Sequence, residues 1–108
     1  MSEVIIAGDD PDGIGAALET QGGTVRYAEG TASRSSLEAA GVESADALVL
    51  TDAGLATSVT VAADCNPGLR IVIYTRDSVP EFVKGQAGHI VDPELLDPDT
   101  VAEELLRE

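Results

Sequence analysis

Asp9, Asp10 and Asp12 crowd one short turn behind the apolar run Val4-Ile5-Ile6-Ala7, and Asp52 closes a second run, 45–50. Carboxylate oxygens in such turns suit a hard divalent cation. They are the wrong charge for a phosphate. Yet Gly8, Gly13 and Gly15 frame the same turn, and a glycine-lined strand–turn–helix is where free backbone N–H groups usually receive an anion. A third account needs no ligand at all: an acidic turn can cap its own helix, because the helix dipole favours negative charge there. Cation, nucleotide and self-capped turn are the three expectations for this stretch.

Other reactive side chains are thinly spread. Cys65 is the single cysteine, sits in Ala-Asp-Cys-Asn-Pro, and has no His or other base near it in sequence, so a structural thiol is expected. His89 is the one histidine and lacks metal-ligand spacing. Thr31, Ser33, Arg34, Ser35 and Ser36 make a hydroxyl-rich helix start, of which capping needs only Ser33.

These residues must be carried by alternating strands and helices. Short apolar runs at 3–7, 24–28, 45–50, 70–74 and 89–91 read as strands, the first apolar throughout as a strand covered on both faces should be. Between them, helical spacing is expected near 13–21, 33–40, 55–64 and 79–84, and a last helix from about 97 to the C-terminus. Gly22-Gly23, Gly41 and Asn66-Pro67-Gly68 punctuate the pattern. The alternation predicts one α/β domain spanning 1–108: a three-layer αβα sandwich on a five-stranded parallel sheet, Rossmann-like or flavodoxin-like, in the order 2-1-3-4-5. Ligands in such sheets bind beyond the carboxyl ends of the strands at the point where the order reverses. Gly8, Asp9, Asp10, Thr51 and Asp52 are expected there.

Composition narrows the partners. Twenty acidic residues face six basic ones, a net charge of −14. A disordered acidic chain would lack buried runs, whereas a folded acidic surface is what high intracellular salt tolerates by screening self-repulsion. A halophilic cytoplasmic protein is the expectation. Such a charge argues against bare nucleic acid or an anionic membrane as partner. Met1-Ser2-Glu3 runs straight into a strand, with no signal-peptide or anchor pattern.

The stretch Leu37-Glu38-Ala39-Ala40-Gly41-Val42-Glu43-Ser44-Ala45-Asp46-Ala47-Leu48-Val49-Leu50-Thr51 resembles the RCK (TrkA N-terminal) domain of potassium channels and transport regulators. Asn66-Pro67-Gly68-Leu69-Arg70-Ile71-Val72 and Val91-Asp92-Pro93-Glu94-Leu95-Leu96 continue the similarity. The resemblance implies a non-enzymatic regulatory module that binds NAD or an adenine nucleotide and acts through a homodimer or a protein partner. Its glycine fingerprint would fall on Gly8, Asp10 and Gly13, with Glu29 at the ribose and Thr51 and Asp52 completing the pocket.

A second likeness is to response-regulator receiver domains, which carry an acidic pair after strand one and an Asp after strand three. On that alternative Asp9, Asp10 and Asp52 would hold Mg²⁺, Asp52 would stand at the phosphoacceptor, and Thr75 at the hydroxyl after strand four. The receiver's lysine after strand five is absent, since the matching place reads Ile90-Val91-Asp92-Pro93. A pseudo-receiver that binds a cation, or a ligand-free interaction domain, is the alternative to the nucleotide module.

Overall fold

A computed structural model of the chain describes residues 2–10, 12–28, 30, 32–85 and 87–106. Five strands form one parallel sheet: β1 (Glu3–Ala7), β2 (Thr24–Ala28), β3 (Ala47–Leu50), β4 (Arg70–Tyr74) and β5 (His89–Val91), in the order β2-β1-β3-β4-β5. The helices α1 (Ile14–Thr20), α2 (Arg34–Ala39), α3 (Thr57–Cys65), α4 (Glu81–Lys84) and α5 (Pro98–Leu106) connect and follow them. The expected three-layer α/β fold and strand order are those of the structure.

The register explains the layers. Val4 pairs with Ala47 and Ile5 with Leu48, and β3 continues with Leu48 opposite Ile71 and Val49 opposite Val72. Side chains opposite one another in a parallel pair share a face, and successive residues alternate. Ile5, Leu48, Ile71 and Ile73 therefore meet Leu37, Val59 and Val83 of α2, α3 and α4. Val4, Ile6, Val49, Val72 and Tyr74 meet Ile14 and Leu18 of α1 and Val101 and Leu105 of α5 on the other face. Burying β1 and β3 on both sides is what lets them be apolar without alternation.

Element starts depart from the sequence expectation where local chemistry intervenes. Asp52 accepts a hydrogen bond from the Gly54 amide at 2.8 Å and opens a 3₁₀ turn, Ala53–Leu55, so α3 begins only at Thr57. Strand β3 begins at Ala47 because Ala45 ends another 3₁₀ turn, Val42–Ser44. Asn66 closes this corner by donating to the carbonyls of Val42 and Ala45 at 3.0 and 2.9 Å. Helix α4 is a single turn from Glu81, shorter than expected. No helix among the described residues is long and apolar enough to cross a membrane.

Candidate functional site

The carboxyl ends of β1, β2 and β3 leave an open cleft of about 370 Å³. Gly8, Asp9 and Asp52 line it together with Tyr27, Ala28 and Leu55. Three of the expected site residues thus share one concavity.

Asp10 does something else. Its carboxylate turns into the start of α1, where one oxygen accepts from the Ile14 amide at 2.7 Å and the other from the Gly15 amide at 2.9 Å. The Tyr27 hydroxyl donates to the same carboxylate at 3.4 Å. The N–H groups that a pyrophosphate would need are therefore already taken by a side chain of the same turn, with the dipole favouring the arrangement. Burial, and then the Asp10 charge, hold the Tyr27 phenol above its ordinary pKa and in its donating form. Gly13, with φ +77°, supplies the left-handed step into α1, and nothing crowds the space where its Cβ would be.

Thr51 and Asp52 are likewise committed within the chain. The Thr51 hydroxyl donates to the Ala7 carbonyl at 3.3 Å and to the Asp9 carbonyl, stitching β3 to the turn after β1. Gly8 lies directly beneath. At φ +111° it brings the backbone so close that an added Cβ would stand 2.5 Å from the Thr51 hydroxyl and 2.9 Å from the Asp52 Cβ. Asp52 caps the 3₁₀ turn described above. Asp9 is exposed. Among the described residues no group of three His, Cys, Asp or Glu side chains converges in a way that could hold a metal ion. The expected metal set Asp9, Asp10 and Asp52 is not brought together, because Asp10 is drawn into the helix. Glu29 and Thr31 lie outside the described residues.

Sequence reasoning passed over the cation at this end of the sheet. Arg76, just beyond β4, grips Asp12 with both terminal nitrogens at 2.9 and 3.1 Å, and its Nε donates to Glu94 at 2.7 Å. One guanidinium joins the turns after β1, β4 and β5. Those two carboxylates, Asp12 first, raise its pKa still further. Its rarity was the available signal: it is one of six basic residues in a strongly acidic chain, and it stands at a strand end. Thr75, beside it, accepts from the Asp77 amide at 3.2 Å.

The remaining candidates are structural. Ser33 caps α2 by accepting from the Ser36 amide at 3.4 Å, and this helix has only six residues. Cys65 is half-buried and accepts from Arg34 at 3.1 Å while the same guanidinium pairs with Asp64. His89 sits exposed on β5.

Fold and site together define a doubly wound, five-stranded α/β domain of the flavodoxin-like kind, with a self-capped acidic turn at the carboxyl ends of its strands. The chain belongs to DUF7126, a family of unknown function, which it matches over residues 4–105. No curated protein matches it. Among solved structures it is similar to a Burkholderia thailandensis protein assigned to pilus assembly (CpaE), at 14% identity over 97% of this chain and 95% of that one, with a TM-score of 0.66. It is similar also to the receiver domain of NtrC4 from Aquifex aeolicus, at 16% identity over 98% and 92%, TM-score 0.66. A Burkholderia pseudomallei response regulator, solved with a phosphorylated aspartic acid, a calcium ion and citrate, gives 20% identity over 97% and 71%, TM-score 0.63. These likenesses are of fold. They correct the RCK/TrkA resemblance, and with it the reading as an RCK-type nucleotide-binding module. The phrases that carried it, such as Ala45–Thr51 and Asn66–Val72, encode a turn feeding a buried strand, which every doubly wound sheet requires.

The Asp10 cap makes a direct prediction. Asp10→Ala removes the acceptor of two α1 amides and of the Tyr27 hydroxyl, and should cost about 1–2 kcal/mol, as loss of a helix cap does. Urea denaturation measures it. An unchanged midpoint would mean that the carboxylate is not bound to α1 in solution.

Proposed function

We propose that this protein is a pseudo-receiver: a receiver-like regulatory module that acts by protein contact and not by phosphoryl transfer. The observation that carries the contact reading is the placement of its exposed apolar surface. Phe82, Ile90, Leu95 and Leu96 stand exposed on α4, on β5 and in the turn before α5, all at one end of the sheet. Among the described residues only one exposed large apolar side chain lies elsewhere, Tyr27, on β2 at the far edge. Large apolar side chains gathered at one edge mark an interaction surface more often than chance exposure does. The commitments of Asp10 to α1, of Asp52 to its 3₁₀ turn and of Arg76 to Asp12 and Glu94 support the second half of the reading. Among the described residues they leave no prepared set of carboxylates and cation for a phosphoryl group.

The test pairs two variants in the native host, with a tagged chain cross-linked to its neighbours. Ile90→Asp together with Phe82→Asp should abolish the cross-linked species, and Asp52→Asn should leave it unchanged. Acetyl phosphate with Mg²⁺ should leave the intact mass unaltered. A phosphoaspartate increment that disappears in Asp52→Asn would overturn the proposal, as would loss of the cross-linked species in Asp52→Asn alone.

A further inference from the structure

A second cavity, of about 330 Å³, lies on the opposite side of the molecule from the acidic cleft, between α5 and the β4–β5 edge of the sheet. Its origin is in the packing. Helix α5 lies against α1, and together they bury this face of β1, β3 and β4, so that the edge strand β5 is only partly covered, with Val91 half-buried and His89 exposed. His89 is opposite Val72 in the register and Val91 opposite Tyr74, which puts His89 and Val91 on this face.

The cavity is apolar below and charged at its rim. Val72, Val91, Val101 and Leu105 make the floor. Arg70, His89 and Glu104 stand around the mouth. Arg70 is fixed there because one terminal nitrogen donates to the Leu105 carbonyl at 2.6 Å, a cation meeting the last turn of α5. Its Nε and second terminal nitrogen make no protein hydrogen bond among the described residues. Glu104 brings a carboxylate from the neighbouring position on α5, in addition to the interaction it already makes.

Size and charge together select a ligand. The volume is at the small end of ligand sites, about 300–1,000 Å³, and roughly twice that of a cavity known to accept benzene. A free monoanion would be repelled by a chain of charge −14, and a simple cation would be drawn to its whole surface. A zwitterion is neutral overall and still uses both rim charges. We infer that this cavity binds a small α-amino acid with a branched aliphatic or aromatic side chain. The side chain lies on the valine and leucine floor. Its carboxylate is held by Arg70, with His89 as a second donor, and its ammonium group faces Glu104. This inference goes beyond the pseudo-receiver reading and does not depend on it, although the cavity shares Leu96 with the apolar edge.

Methyl-labelled full-length chain, folded in high salt, is titrated with L-leucine and L-phenylalanine. Saturable shifts should be confined to the methyls of Val72, Val91, Val101 and Leu105. Phenethylamine and 3-phenylpropanoate each lack one of the two charges and should bind about tenfold more weakly than phenylalanine. Arg70→Gln should weaken phenylalanine by about tenfold while leaving phenethylamine unchanged. Because Arg70 also holds the end of α5, Val91→Trp is the second variant; it fills the cavity from the edge strand and should abolish the shifts. Absence of saturable shifts would overturn the inference. So would equal binding of either analogue, or phenylalanine shifts that survive Val91→Trp.

Discussion

Gly8→Ala should lower stability by about 3–4 kcal/mol, a large part of the roughly 5–15 kcal/mol that a domain possesses. Two costs combine. A side chain at φ +111° is strained wherever it stands, at about 1–2 kcal/mol. At this position the new methyl would also meet the Thr51 hydroxyl at 2.5 Å and the Asp52 Cβ at 2.9 Å. Neither neighbour can step aside cheaply, because Thr51 is bonded to the Ala7 and Asp9 carbonyls and Asp52 caps the next turn. For a domain of this size the loss amounts to a melting temperature lower by about 15–25 °C. Gly13→Ala is the internal control: its φ of +77° carries the backbone cost, but no atom lies within 4 Å of the added carbon. It should lose only about 1 kcal/mol. In a Thr51→Ala background Gly8→Ala should recover part of its deficit, since neighbouring substitutions couple. Equal losses for Gly8→Ala and Gly13→Ala would show that β3 does not press on the β1 turn.

That contact illustrates what a sequence can and cannot display. Val4-Ile5-Ile6-Ala7, Ala47–Leu50 and Ile71–Tyr74 are legible as buried strands because a strand covered on both faces must be apolar at every position. Their alternation with helices and the fixed hand of the crossovers narrow the strand order to a few arrangements, and the expected 2-1-3-4-5 is the one found. Asp10 is legible in part: its partners are four and five positions away, within reach of an argument from helix capping. Choosing between cap and ligand required seeing which way the carboxylate turns. Arg76 is a different case, because Asp12 is 64 positions away and only the folded sheet places them together. The cavity beside α5 is equally invisible in one dimension, since it is the gap left when α5 leans on α1. The RCK resemblance failed for a related reason. Local phrases report the strand and turn that they encode, and many folds share those.

The acidic surface should make folding depend steeply on salt. Fourteen uncompensated charges form about ninety repelling pairs, on a chain whose radius of gyration is 12.1 Å. At a separation of about 20 Å in water each pair costs roughly 0.2 kcal/mol before screening. At about 0.1 M salt the screening length is roughly 10 Å, which leaves about a tenth of that interaction, or on the order of 2 kcal/mol in total. At about 1 M the screening length is roughly 3 Å, and the repulsion is gone. Salt also weakens the ion pairs, which acts in the opposite direction. Those pairs, Arg26–Glu3, Arg34–Asp64, Arg76–Asp12, Arg76–Glu94 and Lys84–Glu81, are largely exposed, and such pairs contribute typically below about 1 kcal/mol each. Six cations against twenty carboxylates cannot reverse the balance. Raising KCl from about 0.1 M to about 1 M should therefore lift the melting temperature by roughly 10 °C. Charge should matter more than which salt is used, so NaCl and KCl should act alike across this range, where screening dominates. Replacing four exposed acids, Glu19, Glu38, Glu43 and Glu103, by Gln should raise the low-salt melting temperature and flatten the salt response. A melting temperature indifferent to KCl in the wild-type chain would mean that the unfolded state carries the same repulsion as the folded one, and that the acidic surface is not what sets this protein's tolerance.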